Sequence, residues 1–124
     1  MTPAQLIRWQ WDGYFRYHAA RTNLIIHIFA VPLFLVGNLT LLMALLRASA
    51  LWSAIGLACM VLAMGLQGRG HKVEKIPPEP FSGMGNAAAR IFIEQWVTFP
   101  RFVLSGGWMR ALRAPGSETF RTTL

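Results

Sequence analysis

Acidic residues, charge of any sign and cysteine are all scarce in this chain. Of its 124 residues only five are Asp or Glu, against twelve Lys and Arg, for a formal net charge of +7. Charged residues make up 14% and hydrophobic ones 54%, where soluble domains carry about 25% and roughly 45–50%. The balance points to a membrane protein rather than a soluble one. The basic residues are scattered instead of gathered on one soluble face, so nucleic acid is not an expected partner. One cysteine, Cys59, excludes an intramolecular disulfide, and its place in an apolar run suits a small packing residue. The first twenty residues mix Arg, Asp, Trp and Tyr without an apolar centre, so no cleavable signal peptide is expected. The length suits one domain over 1–124.

What is present is a pair of long charge-poor runs. Leu24 to Leu46 has no formal charge unless His27 is protonated. As a helix it would be roughly 34 Å long, enough for a hydrocarbon core of about 30 Å. Ala50 to Gln67 is a second run, near the lower limit for spanning. Arg47-Ala48-Ser49 between them is so short a turn that the two must be antiparallel. Pro32 should kink the first run, and Asn38 needs a polar partner on a facing helix. Gly56, Ala58, Ala63 and Gly65 would let the second run approach a neighbour closely.

The flanks read differently. Thr2-Pro3 starts a helix that runs to about His18. One face carries Gln5, Arg8, Asp12 and Arg16; the other carries Ile7, Trp11, Tyr14, Tyr17 and His18, a pattern suited to the headgroup region. Thr22 or Asn23 can cap the next helix. Pro77 to Gly85 is a loop by its Pro and Gly content. Asn86 should cap a last helix to about Trp108, kinked near Pro100 and carrying Arg90, Glu94 and Arg101, with a polar tail from Arg110. The expected fold is an all-α membrane protein. It has an interfacial N-terminal helix, a transmembrane helical hairpin and a kinked C-terminal helix packed on or across the membrane. Arg8, Arg16, Arg21, Arg69, Lys72, Lys75 and Arg90 flank the hairpin ends while only Arg47 marks the far turn, so both termini are expected on the cytoplasmic side.

The chain has three histidines, and the antiparallel hairpin returns all of them to that side. Singly each has a plain structural use: His18 as an interfacial aromatic, His27 bonded to a carbonyl freed by Pro32, His71 as a helix C-terminal cation. Together they suggest more. His27 lies about one helical turn inside the membrane surface, where polar side chains tend to be functional. His71 and Glu74 are three residues apart, which on a helix puts both on one face. His18, His27 and His71 with Glu74 form a sensible ligand set for a mononuclear ferrous or zinc site. Tyr14, Tyr17 and Asn23 are candidates to orient the imidazoles, with aromatic anchoring and capping as the simpler alternatives.

The pattern Tyr14-x-x-Tyr17-His18-x4-Asn23-x3-His27-x4-Pro32, followed by Gln67-x-x-Gly70-His71-x-x-Glu74-Lys75-x-Pro77, resembles the small membrane-protein family that includes the fungal 2-hydroxy fatty acid dioxygenase. The resemblance covers about residues 9 to 105. It implies an iron(II) enzyme of fatty-acid α-oxidation that uses dioxygen to shorten a 2-hydroxy fatty acid by one carbon. Carried over by position, His18, His27 and His71, with Glu74 beside them, are the implied metal ligands. Lys75, Lys72 and Arg69 are candidates to hold the substrate carboxylate, with solvated basic residues of the cytoplasmic face as the plain alternative, and Asn23 and Tyr17 are further candidates for substrate binding. The sequence departs from the family where Pro77 is followed by Pro78-Glu79-Pro80 instead of Ala, and in the charge of its last apolar segment. Membrane lipids and a 2-hydroxy fatty acid are the expected partners, with homo-oligomerisation left open. The competing class is a non-catalytic membrane scaffold or lipid-binding protein with structural histidines.

Overall fold

The structure is a computed structural model and describes residues 1–114. Among these the chain is all-helical: α1 (Pro3–Tyr17), α2 (Arg21–Leu46), α3 (Ala50–His71), α4 (Met84–Ile93), a π-helical turn (Glu94–Thr98), α5 (Phe99–Leu104) and α6 (Gly107–Arg113). α1 begins with a capping box, in which the Thr2 hydroxyl accepts from the Gln5 amide and the Gln5 side chain accepts from the Thr2 N–H. It ends at His18, and Ala20 leads into α2.

α2 and α3 are long and apolar enough to cross a membrane. Only 28% and 17% of their most apolar stretches are buried inside the protein, which is too little for the core helices of a soluble fold. Phe29, Val36, Leu42 and Leu46 on α2, with Leu51, Leu57 and Val61 on α3, are exposed. The Arg47–Ser49 turn reverses the chain, with Ala48 in the left-handed region at φ 51°. The two helices pack antiparallel: Gly37 faces Gly56, and Asn23 faces Gly70. A Cβ on Gly56 would lie 2.7 Å from the Leu41 amide nitrogen, so glycine is what permits the contact.

The rest of the chain gathers around the α2 N-terminal half and the α3 C-terminal half. Tyr14, Leu24, Val31, Phe99, Phe102 and Ala111 form a buried cluster contributed by α1, α2, α5 and α6. Trp108 Nε1 donates to the Leu24 carbonyl at 2.8 Å, and the Arg21 guanidinium donates to the Leu112 carbonyl at 2.9 and 3.1 Å. Asn38 finds its partner outside α3: Trp96 Nε1 donates to its Oδ1 at 3.0 Å.

Four local expectations change. The helix starting at Asn86 starts instead at Met84, with Asn86 Oδ1 accepting from the Ser82 N–H. The disturbance expected at Pro100 is a π turn just before it, in which the Phe99 N–H reaches the Glu94 carbonyl. The tail expected from Arg110 is helical to Arg113, because Ala111 is buried and Leu112 is tied to Arg21; its remainder, 115–124, lies outside the described residues. Neither Thr22 nor Asn23 caps α2, whose first helical residue is Arg21.

Candidate metal centre

His18, His27, His71 and Glu94 come together, each offering a ligand atom within 4.8 Å of the others. Four separate elements deliver them. His18 is the C-terminal cap of α1, His27 lies two turns into α2, His71 ends α3, and Glu94 opens the π turn. The three imidazoles stand nearly perpendicular to one another, with ring centroids 4.8, 4.8 and 5.1 Å apart. His18 and His27 are buried, and the Glu94 side chain is only 17% exposed.

Hydrogen bonds fix which nitrogen faces inward. His18 Nδ1 lies 2.9 Å from the Tyr14 carbonyl, and His27 Nδ1 lies 3.0 Å from the Asn23 carbonyl. A carbonyl only accepts, so both Nδ1 atoms carry the proton; each Nε2 then either donates to Glu94, when the ring is protonated, or presents a lone pair to a cation, when it is neutral. The Tyr14 carbonyl is available because α1 stops there, the His18 N–H turning instead to Phe15. The carbonyl that orients His27 belongs to Asn23 and not to the residue freed by Pro32. Among the described residues, His18 Nε2, His27 Nε2 and His71 Nδ1 are buried without a hydrogen-bond partner. Burial of three such atoms is costly unless something else satisfies them. Nitrogen donors of this kind beside one carboxylate fit a divalent first-row metal.

Glu94 Oε2 is 3.2 Å from His18 Nε2 and 3.6 Å from His27 Nε2, and it accepts from Tyr14 Oη at 2.7 Å. Burial alone would raise the Glu94 carboxyl, but its contacts with the two imidazoles reverse this and hold it well below the ordinary value of 4.5. It is therefore an anion. Burial first, and then the Glu94 charge, push the Tyr14 phenol well above 10.0, so it remains a donor. The Tyr14 ring also stacks on His18 at 3.8 Å and 11°.

Glu74, expected beside the histidines, is not in this group. Its carboxylate accepts from the backbone N–H groups of Ala19 and Ala20 at 3.0–3.1 Å and from Asn23 Nδ2 at 2.7 Å. It sits at the N-terminus of α2, where free amides and the helix dipole favour an anion, and supplies the cap that α2 lacks locally. The reason is that α3 ends at His71; with Glu74 beyond the helix, the spacing of three no longer puts both on one face.

Glu94 is the residue missed. Its signal was present: it is a lone acid among Ile91, Phe92, Ile93, Trp96 and Val97, and acids are scarce in this chain.

Two cavities reach the group, and His71, Glu94, Gln10 and Arg90 line both. The smaller, of about 220 Å³, also meets Asp12, Arg16, Tyr17 and Glu79. The larger, of about 390 Å³, runs along α3 and meets Met64, Gly68, Lys72 and Ile91. Lys72 thus borders the site, whereas Arg69 and Lys75 are exposed and line neither cavity. Tyr17 borders the smaller cavity and reaches Glu79 at 3.4 Å. Asn23 is buried and orients Glu74 and His27 rather than facing a cavity. Arg90 stacks on Trp9 and Phe81 and donates to the Glu79 and Pro80 carbonyls, which ties the Pro-rich loop over the site. Comparison of the chain with family models, with curated proteins and with solved structures gives no match.

Proposed function

We propose that this protein is an integral membrane iron(II) dioxygenase that shortens 2-hydroxy fatty acids by one carbon. The observation that carries the reading is the set of three histidine nitrogens and one carboxylate held by four different elements. Two of those nitrogens have their tautomer fixed by backbone carbonyls. Structural histidines in a scaffold need no such convergence of lone pairs. The motif resemblance described above supplies the substrate class and the choice of iron.

In this reading α2 and α3 form a transmembrane hairpin, α1 lies in the interface and the site faces the cytoplasm, which the excess of basic residues near these helix ends supports. His18, His27, His71 and Glu94 hold the metal. Ferrous iron, when bound there, supplies the means to activate dioxygen. Tyr14 orients both His18 and Glu94. Lys72 lies where it can attract the substrate carboxylate. The overall reaction balances without an external reductant: a 2-hydroxy acid and one dioxygen give the acid one carbon shorter, carbon dioxide and water. The bond between the carboxyl carbon and C2 breaks, and all four electrons taken up by dioxygen come from the substrate.

Dioxygen uptake with 2-hydroxyhexadecanoate tests this. The iron-loaded protein is expected to consume one dioxygen for each pentadecanoate formed, with hexadecanoate inert. An iron-loaded protein that takes up no dioxygen and leaves the acid unchanged would support the scaffold reading instead.

A further inference from the structure

The larger cavity has a polarity gradient along one helix face. Met64, Gln67, Gly68, His71 and Lys72 follow the spacing of a single α3 stripe and form one wall. The cationic and metal-binding groups, Lys72, His71 and Glu94, lie at one end. Met64 lies at the other end of the α3 stripe, and the facing lining mixes Ile91 and Phe81 with Gln10 and Arg90. Gln67 might have made the middle polar, but its amide is turned into a reciprocal pair with Gln95, at 2.8 and 2.9 Å, both residues being buried. From Met64 to Lys72 the helix rises roughly 12 Å. A volume of about 390 Å³ falls within the range of small-molecule sites.

Gly68 lies in the middle of this wall. A Cβ there would meet nothing within 4 Å, whereas at Gly37 and Gly56 it would strike the backbone of the facing helix. Gly68 is therefore not needed for helix packing, although glycine is less favourable than alanine in a helix interior. What its missing side chain does is keep the cavity open.

We infer that this cavity is the slot for one unbranched alkyl chain of a carboxylate amphiphile, with Lys72 beside its head and Gly68 setting the width available to its chain. The inference deepens the proposed function by assigning the chain to the α3 face. The slot itself stands on the cavity and not on turnover. Met64, Ile91 and Phe81 supply its apolar lining, so chain methylenes lose water against them as the head reaches Lys72.

The test uses the full chain in phosphatidylcholine nanodiscs and hexadecanoate carrying a diazirine at mid-chain, a probe with no 2-hydroxyl and hence no reaction. Photolysis followed by peptide mapping should place the label on the Met64–Gly68 segment and on Ile91, and excess unlabelled hexadecanoate should remove it. Gly68→Phe should lower labelling at least tenfold. Gly65→Phe, at a position equally open but outside the cavity, should leave it unchanged. Should Gly68→Phe fail to accumulate, Ile91→Trp narrows the opposite wall and carries the same expectation. Label that persists in the narrowed variant, or that spreads over Leu57 and Leu62 without competition, would overturn the slot. Cobalt(II) binding measured on the same samples separates the two readings. Labelling without metal binding would sink the metal centre alone, and metal binding without site-directed labelling would sink the slot alone.

Discussion

Tyr14 touches the metal-binding group in three ways. Its carbonyl accepts a hydrogen bond from His18 Nδ1–H, its ring stacks on that imidazole, and its hydroxyl donates to Glu94. The Tyr14→Phe variant keeps the first two and loses the third. Partners of this kind change metal affinity by about 10–100-fold. Tyr14→Phe should therefore weaken cobalt(II) binding within that range in chelator competition and alter the cobalt absorption bands, while costing about 1.5–3 kcal/mol in stability, as for a hydrogen bond to a charged group. Glu74 behaves in the opposite sense. Its carboxylate secures two backbone amides and Asn23 at the start of α2 and touches no imidazole nitrogen named above. Glu74→Gln should cost roughly 2 kcal/mol of stability, read by thermal or denaturant unfolding. Its metal affinity should stay within about threefold of the parent, since neither the ligands nor their direct partners change.

At the scale of elements, the α2–α3 contact depends on small residues. Gly56→Ala puts a Cβ 2.7 Å from the Leu41 amide and 2.9 Å from the Gly37 carbonyl, both backbone atoms that cannot step aside. It should destabilise the pair by about 1–3 kcal/mol. Gly65→Ala, facing open space on the same helix, should be neutral or add up to about 1 kcal/mol. Thermal unfolding of the two variants in detergent checks the contrast. The long helices, their turn and the return of the three histidines to one end were legible in the sequence because charge-free runs, a three-residue connection and helix rise leave little choice. The fourth member of the cluster was not. Reading Glu74 as a ligand assumed that α3 continued past His71, and nothing in the local pattern marks its stop there. Glu94 stands out in the sequence as a lone acid in an apolar stretch, but that its side chain meets the histidines depends on the π turn, which sets the direction of the residues after Ile93 and has no sequence signature of its own. α6 was missed for a related reason. Its arginines look like a tail, yet one small residue, Ala111, and the carbonyl of Leu112 dock it against α2.

Across the whole molecule, the chain divides into two parts with different work. The α2–α3 pair carries exposed apolar side chains along most of its length, in keeping with a lipid surround. The remaining helices collect at one end of it, where they supply His18, Glu94 and Tyr14 and enclose the histidines from α2 and α3. The inward imidazole nitrogens, which meet the Glu94 carboxylate but make no hydrogen bond, are the point at which this arrangement is unfinished as a purely structural core. Under the proposed function a bound divalent ion completes it, and the metal content of the protein is the most direct measure of that claim. Protein purified anaerobically with ferrous iron should hold about one iron per chain. His27→Ala and Glu94→Gln should hold almost none, while Glu74→Gln keeps its full share. A folded parent protein that binds no iron, or a Glu94→Gln variant that retains it with parental affinity, would contradict the account.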